Sequence, residues 1–123
     1  MRGGIAMKTF LSISIFVLFV GCSVPGTVSG NENLSAVKID LPTIQCGMCQ
    51  QTIQEKLESL DGVQMAYVNL NEAKVLVKYN RTKLDVTDLE QTISKIGYQA
   101  SDVPADENAY SKLPSCCKLP KDQ

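Results

Sequence analysis

The stretch Val37-Lys38-Ile39-Asp40-Leu41-Pro42-Thr43-Ile44-Gln45-Cys46-Gly47-Met48-Cys49 sets the reading of the chain. Val37, Ile39 and Leu41 alternate with Lys38 and Asp40, the period of a strand with one buried face. Pro42 and Thr43 end that strand. A helix is expected next, from Gly47 or Cys49 to Leu60, because Ile53, Leu57 and Leu60 recur at helical spacing. Two cysteines separated by two residues can turn both sulfurs toward one point, and Gly47 permits the tight backbone between them. Cys49 falls in the first helical turn, where unpaired N–H groups and the helix dipole favour a thiolate. The first acid in the helix is Glu55, so nothing close by opposes that charge.

The pattern continues in alternation. Asp61-Gly62 closes the helix, with Gly62 suited to the left-handed position after it. Residues 63–70 form a second strand, Asn71-Glu72 a turn, and residues 73–79 a third strand with Val75, Val77 and Tyr79 on one face. Asp85 is the expected N-cap of a second helix carrying Val86, Leu89, Ile93 and Ile96 on one stripe. Gly97 ends it, and residues 98–101 are expected to form a short last strand. The order βαββαβ is the ferredoxin-like α+β arrangement, an antiparallel sheet with two helices on one face. This module is assigned to residues 35–103.

Composition narrows the chemistry. The 123 residues hold 12 basic and 13 acidic side chains, a net charge of −1, with no basic stripe to suit nucleic acid. There is no histidine and no tryptophan. Imidazole general bases, Ser-His-Asp and Cys-His pairs, and imidazole metal sites are excluded. Asp40, Glu55, Asp61 and the other carboxylates are scattered as a solvated surface, so no enzyme is expected. The five cysteines carry most of the information.

Residues 1–21 read as a secretory signal, with Arg2 and Lys8 ahead of an apolar run too short to span a bilayer. Translation is expected to begin at Met7. Phe19-Val20-Gly21-Cys22-Ser23 resembles a bacterial lipobox, which makes Cys22 the lipidated N-terminus of the mature chain and the anchor to a membrane. Ordinary cleavage after Gly30 is the alternative. Without Arg2 and Lys8, 10 of the 12 cations remain against 13 acids. Residues 22–34 are expected to be a flexible, lipid-anchored tether.

Two soft thiolates without imidazole or carboxylate select Cu(I), and similarly Hg(II), Cd(II) or Zn(II). Residues 43–49 at this junction resemble the heavy-metal-associated domain of copper chaperones, metal-pumping ATPases and periplasmic mercury-binding proteins. That family carries a G-M-x-C-x-x-C motif at the same place in a βαββαβ fold. Both cysteines match, Ile44 stands where the family has a packing methionine, and Asp61-Gly62-Val63 and Gly97-Tyr98 also fit. The resemblance implies one metal ion held by Cys46 and Cys49, with the exposed Cys46 first to exchange. It sets Tyr98 beside the metal, as a shield for the thiolates or as ordinary strand packing. Met48 is a weak sulfur ligand or an apolar cover.

Residues 104–123 hold prolines, charges and no periodic apolar stripe, and are expected to be a flexible tail. Cys116 and Cys117 are neighbours. Their α-carbons lie about 3.8 Å apart, closer than the about 4.4–6.8 Å a disulfide prefers. The pair suits a second metal site, a relay station or completion of a four-sulfur site, against incidental thiols or disulfides between molecules. The function expected is extracytoplasmic binding and transfer of a soft metal to a metal-transporting membrane protein or another metal-binding protein. Cu(I) comes first and Hg(II) second, at the cell envelope. The rival is a thiol–disulfide oxidoreductase or redox sensor using Cys46 and Cys49.

Overall fold

The structure, a computed structural model, describes residues 33–123. The signal segment, most of the tether and Cys22 lie outside the described residues. Three strands, β1 (Leu34–Asp40), β2 (Val63–Asn69) and β3 (Lys74–Asn80), form an antiparallel sheet in the order β1-β3-β2. Val37 opposes Val77 and Ile39 opposes Val75 across the first pair, while Ala66 opposes Val77 and Val68 opposes Val75 across the second. One face of the sheet therefore gathers small and β-branched side chains in line, as the period-two pattern requires.

Helices α1 (Gly47–Glu58) and α2 (Val86–Lys95) cover that face. Cys49, Ile53 and Leu57 follow one another at four-residue steps along α1, and Leu89 and Ile93 do so along α2. All five are fully buried against Ile39, Val68, Val75 and Val77. Asp85 caps α2 with a reciprocal box, its carboxylate accepting from the Asp88 N–H at 2.9 Å while Asp88 accepts from the Asp85 N–H at 3.0 Å. Helix α1 also closes the outer edge of β2. Gln54 accepts from the Val68 N–H at 2.9 Å, and Gln50 donates to the Val68 carbonyl at 3.0 Å. These bonds occupy backbone groups that an edge strand leaves open. Gly62, at φ +107°, makes the turn out of α1.

Three expectations are corrected. First, β1 begins at Leu34, which pairs with Asn80, so the last residue assigned to the tether belongs to the sheet. Second, residues 98–101 do not form a strand. Only the Ser101 N–H reaches β1, donating to the Asp40 carbonyl at 2.8 Å, and Ala100 turns back to bridge Val103. Ser101 sits at φ +50°, outside the extended region, so the ladder cannot continue.

Third, residues 104–123, expected to be a flexible tail, fold back onto the module. They contain α3 (Glu107–Ser111) and 3₁₀ turns at Ser115–Cys117 and Pro120–Asp122. Leu113 packs against the core and Cys117 is part of it. The segment lacks an apolar stripe because it is held by separate contacts rather than by one helical face. No helix among the described residues is long and apolar enough to cross a membrane.

Candidate metal centre

The loop after β1 is short and tied at both ends. The Leu41 N–H donates to the Ala73 carbonyl at 2.7 Å, and the Ile44 N–H to the Leu41 carbonyl at 3.1 Å. Ile44 is buried, so it acts as a packing residue beneath the loop. Cys46 is the N-cap of α1, in an extended conformation, and Cys49 is the third residue inside the helix. One side chain projects beside the helix opening and the other enters the core. Their sulfurs lie 3.4 Å apart. Cys49 is fully buried and Cys46 is half-buried.

The two tail cysteines meet the same point. Cys117 Sγ lies 3.9 Å from Cys46 Sγ and 4.0 Å from Cys116 Sγ. The sulfurs of Cys46, Cys116 and Cys117 all fall within 4.8 Å of one another. Cys117 is only 1% exposed, whereas Cys116 faces solvent. All four described cysteines are free thiols. The tail pair therefore meets the Cys46–Cys49 pair at Cys46.

Tyr98 is buried at 1% exposure, in a loop rather than a strand. Burial, then the thiols of Cys117 and Cys49 facing its hydroxyl, push that hydroxyl's pKa up. It backs the buried side of the sulfur cluster as a neutral group. Its loop is pinned where the Gln99 N–H donates to Thr43 Oγ1 at 3.0 Å. Met48 points outward, 55% exposed, and leaves an apolar knob beside the helix opening.

The thiols differ electrostatically. The Cys49 N–H, followed by the contact with the Cys49 thiol and the Met48 N–H, lowers Cys46 from an ordinary 9.0 to about 7 against the opposing effect of burial. No side-chain hydrogen bond of full geometry caps the helix from Cys46, so these amides act through their partial positive charge. Burial, then the Cys49 thiol, pushes Cys117 up. Negative charge near neutral pH therefore collects on Cys46, on the solvent side, while Cys117 keeps its proton.

Several contacts behind this arrangement were missed in the sequence. Gly97, read only as a helix terminator, is also where α3 closes down: a Cβ there would lie 2.9 Å from the Tyr110 nitrogen. Asp106 caps α3 through the Ala109 N–H at 2.8 Å, and an acid before a short polar run was the one available signal. Thr43 gave no signal.

A pair of thiols 3.4 Å apart at a helix opening, on a ferredoxin-like fold in a chain without histidine, fits a soft-metal module. The heavy-metal-associated domain profile matches residues 38–99. The chain belongs to that family. A copper-exporting P-type ATPase of Staphylococcus aureus strain Newman is 35% identical over 68 residues, 55% of this chain and 8% of the ATPase. The match thus spans a small part of that relative. Among solved structures, a CopZ metallochaperone is 30% identical with a TM-score of 0.52, covering 54% of this chain and 98% of that one. The Cu(I)-loaded N-terminal domain of a potential copper-translocating P-type ATPase from Bacillus subtilis is 29% identical with a TM-score of 0.53. It covers 55% of this chain and 85% of that domain.

Proposed function

We propose that this chain is an extracytoplasmic soft-metal binding and transfer protein. It takes Cu(I) first and Hg(II) second between the thiolates of Cys46 and Cys49, with Zn(II) and Cd(II) as the alternatives. The observation that carries the reading is the 3.4 Å sulfur pair at the opening of α1. Thiolates alone select such polarisable ions. Transfer is ligand exchange. An acceptor thiolate bonds the ion as a chain sulfur leaves, and the partly exposed Cys46 is the sulfur an acceptor reaches first. No electron moves and no enzyme is required. The acceptor is a metal-transporting membrane protein or another metal-binding protein, in keeping with the copper-transporting relatives. Lipidation at Cys22 tethers the module to the bacterial envelope, a reading that rests on residues 1–23 alone.

Native mass spectrometry of the reduced, anaerobically purified full chain, with copper, mercury and zinc in competition, tests the first claim. Copper or mercury is expected to load ahead of zinc and to be lost with Cys46→Ser plus Cys49→Ser. A reduced chain that ignores these ions at micromolar levels ends the reading. Peptide mass spectrometry of envelope fractions tests the anchor. An acylated Cys22 is expected, and an unmodified N-terminus after Gly30 overturns it.

One observation favours a second reading. A thiol lowered to about 7 beside another sulfur also suits thiol–disulfide exchange. Robust turnover of a disulfide substrate together with weak Cu(I) binding would select it.

A further inference from the structure

A soft ion taking more than two thiolates needs sulfurs converging from different parts of a chain. A tetrahedral zinc–thiolate site, with bonds of about 2.3 Å, places its sulfurs about 3.8 Å apart. Here Cys46 Sγ lies 3.4 Å from Cys49 Sγ and 3.9 Å from Cys117 Sγ, and Cys117 Sγ lies 4.0 Å from Cys116 Sγ. Packing alone accounts for Cys117, since a buried cysteine serves as a small apolar residue. It does not account for Cys116. That residue faces solvent, yet its sulfur is within 4.8 Å of Cys46 Sγ.

The segment carrying the pair is held by the burial of Cys117 and Leu113 and by contacts that do not involve the sulfurs. Ser94 Oγ donates to the Pro104 carbonyl at 2.6 Å, and the Asp106 N–H donates to the Ser94 carbonyl at 3.0 Å. The Tyr110 hydroxyl donates to Asp122 at 2.8 Å and accepts from the Leu119 N–H at 2.9 Å. Gly97 lets α3 approach to a distance that any side chain would block. The tail is thus ordered in part by contacts that do not use the thiols, which is how a ligand set is pre-arranged.

The geometry points to one shared site in which the folded-back tail supplies Cys116 and Cys117 as further thiolate ligands to the ion bound at Cys46 and Cys49. The inference rests on the soft-metal reading of that pair and deepens it. Each added ligand exchanges its S–H proton for a sulfur–metal bond, the proton passing to water, with no change of oxidation state. Ions that accept three or four thiolates, Cd(II), Zn(II) and Hg(II) among them, gain more from the tail than an ion content with two. Release to an acceptor then requires the tail sulfurs to let go as well.

The test uses Cd(II) on the reduced full chain, with sulfur ligands counted by X-ray absorption at the cadmium edge and affinity measured by chelator competition. Three or more sulfurs are expected in the unmodified chain and two in Cys116→Ser plus Cys117→Ser. The same change should weaken affinity by more than about tenfold, the lower end of what lost support of a metal ligand produces. It should also speed transfer to a dithiol acceptor. Because Cys117 is in the core, Cys116→Ser alone provides a variant that disturbs no packing, and it should lose one sulfur. Two sulfurs in the unmodified chain, or unchanged count and affinity in both variants, overturn the shared site while leaving the Cys46–Cys49 pair intact. Failure of the unmodified chain to bind Cd(II), Cu(I) or Hg(II) would instead remove the underlying reading.

Discussion

Cys46 and Cys49 reach the sulfur cluster by local structure, and Cys116 and Cys117 reach it by docking. The first pair is set by a tied loop and the opening of α1, whose Ile53 and Leu57 are fully buried against the sheet. The second pair arrives about seventy residues later on a segment with a five-residue helix and two 3₁₀ turns. Nothing in that segment joins the sheet ladder; discrete hydrogen bonds, a glycine contact and the burial of Leu113 and Cys117 hold it. A helix packed on a sheet opens only with the whole domain, whereas a segment held by separate contacts can open by itself. The tail sulfurs are therefore expected to open to solvent more readily than the pair at α1.

Four measurements bear on that contrast. The largest effect is expected from Leu57→Ala, which empties a fully buried site. It should destabilise the chain by about 2–5 kcal/mol in chemical denaturation and release both pairs together. Gly97→Ala comes next. At φ +95°, with the Tyr110 nitrogen 2.9 Å from the new Cβ, it should strain the turn and lift α3. About 1–3 kcal/mol is expected from the backbone conformation. Alkylation should then reach Cys117 while Cys49 stays protected, and equal protection of both would break the contrast.

The third measurement is pH dependence. Cys46 titrates at about 7 in the folded chain against an ordinary 9.0, so folding favours its thiolate. That contribution to stability is complete above pH 9, shrinks as pH falls toward 7, and is absent below it. Denaturation midpoints across this window should rise with pH in the reduced metal-free chain, and less so in Cys46→Ser. Iodoacetamide labelling of Cys46 should be half-maximal near pH 7. The smallest effect is expected from Tyr110→Phe, which removes one acceptor from Leu119 and one donor from Asp122. Hydrogen exchange at Leu119 should quicken by about two- to tenfold, the scale of one hydrogen bond, with the Cys49 amide unchanged.

The elements around the first pair were legible because each rests on neighbours in sequence. Alternation at Val37, Ile39 and Leu41, the helical spacing of Ile53 and Leu57, and the cap at Asp85 are local signals. The expected strand at residues 98–101 failed because Ser101 turns into the left-handed region, and no residue there announces it. The tail was misread because its order comes from partners far away in the chain: Ser94, Gly97 and the core around Cys117.

Periodicity and short-range spacing were enough to read the βαββ-helix scaffold and the thiol pair at its first helix, and the softness of sulfur donors pointed to the class of ion. It took the folded chain to reveal that Cys116 and Cys117 converge on Cys46, that Tyr98 backs the cluster, and that Gly97 is a docking contact. Those facts depend on distances between residues tens of positions apart, which the chain sets only when its surfaces close on one another.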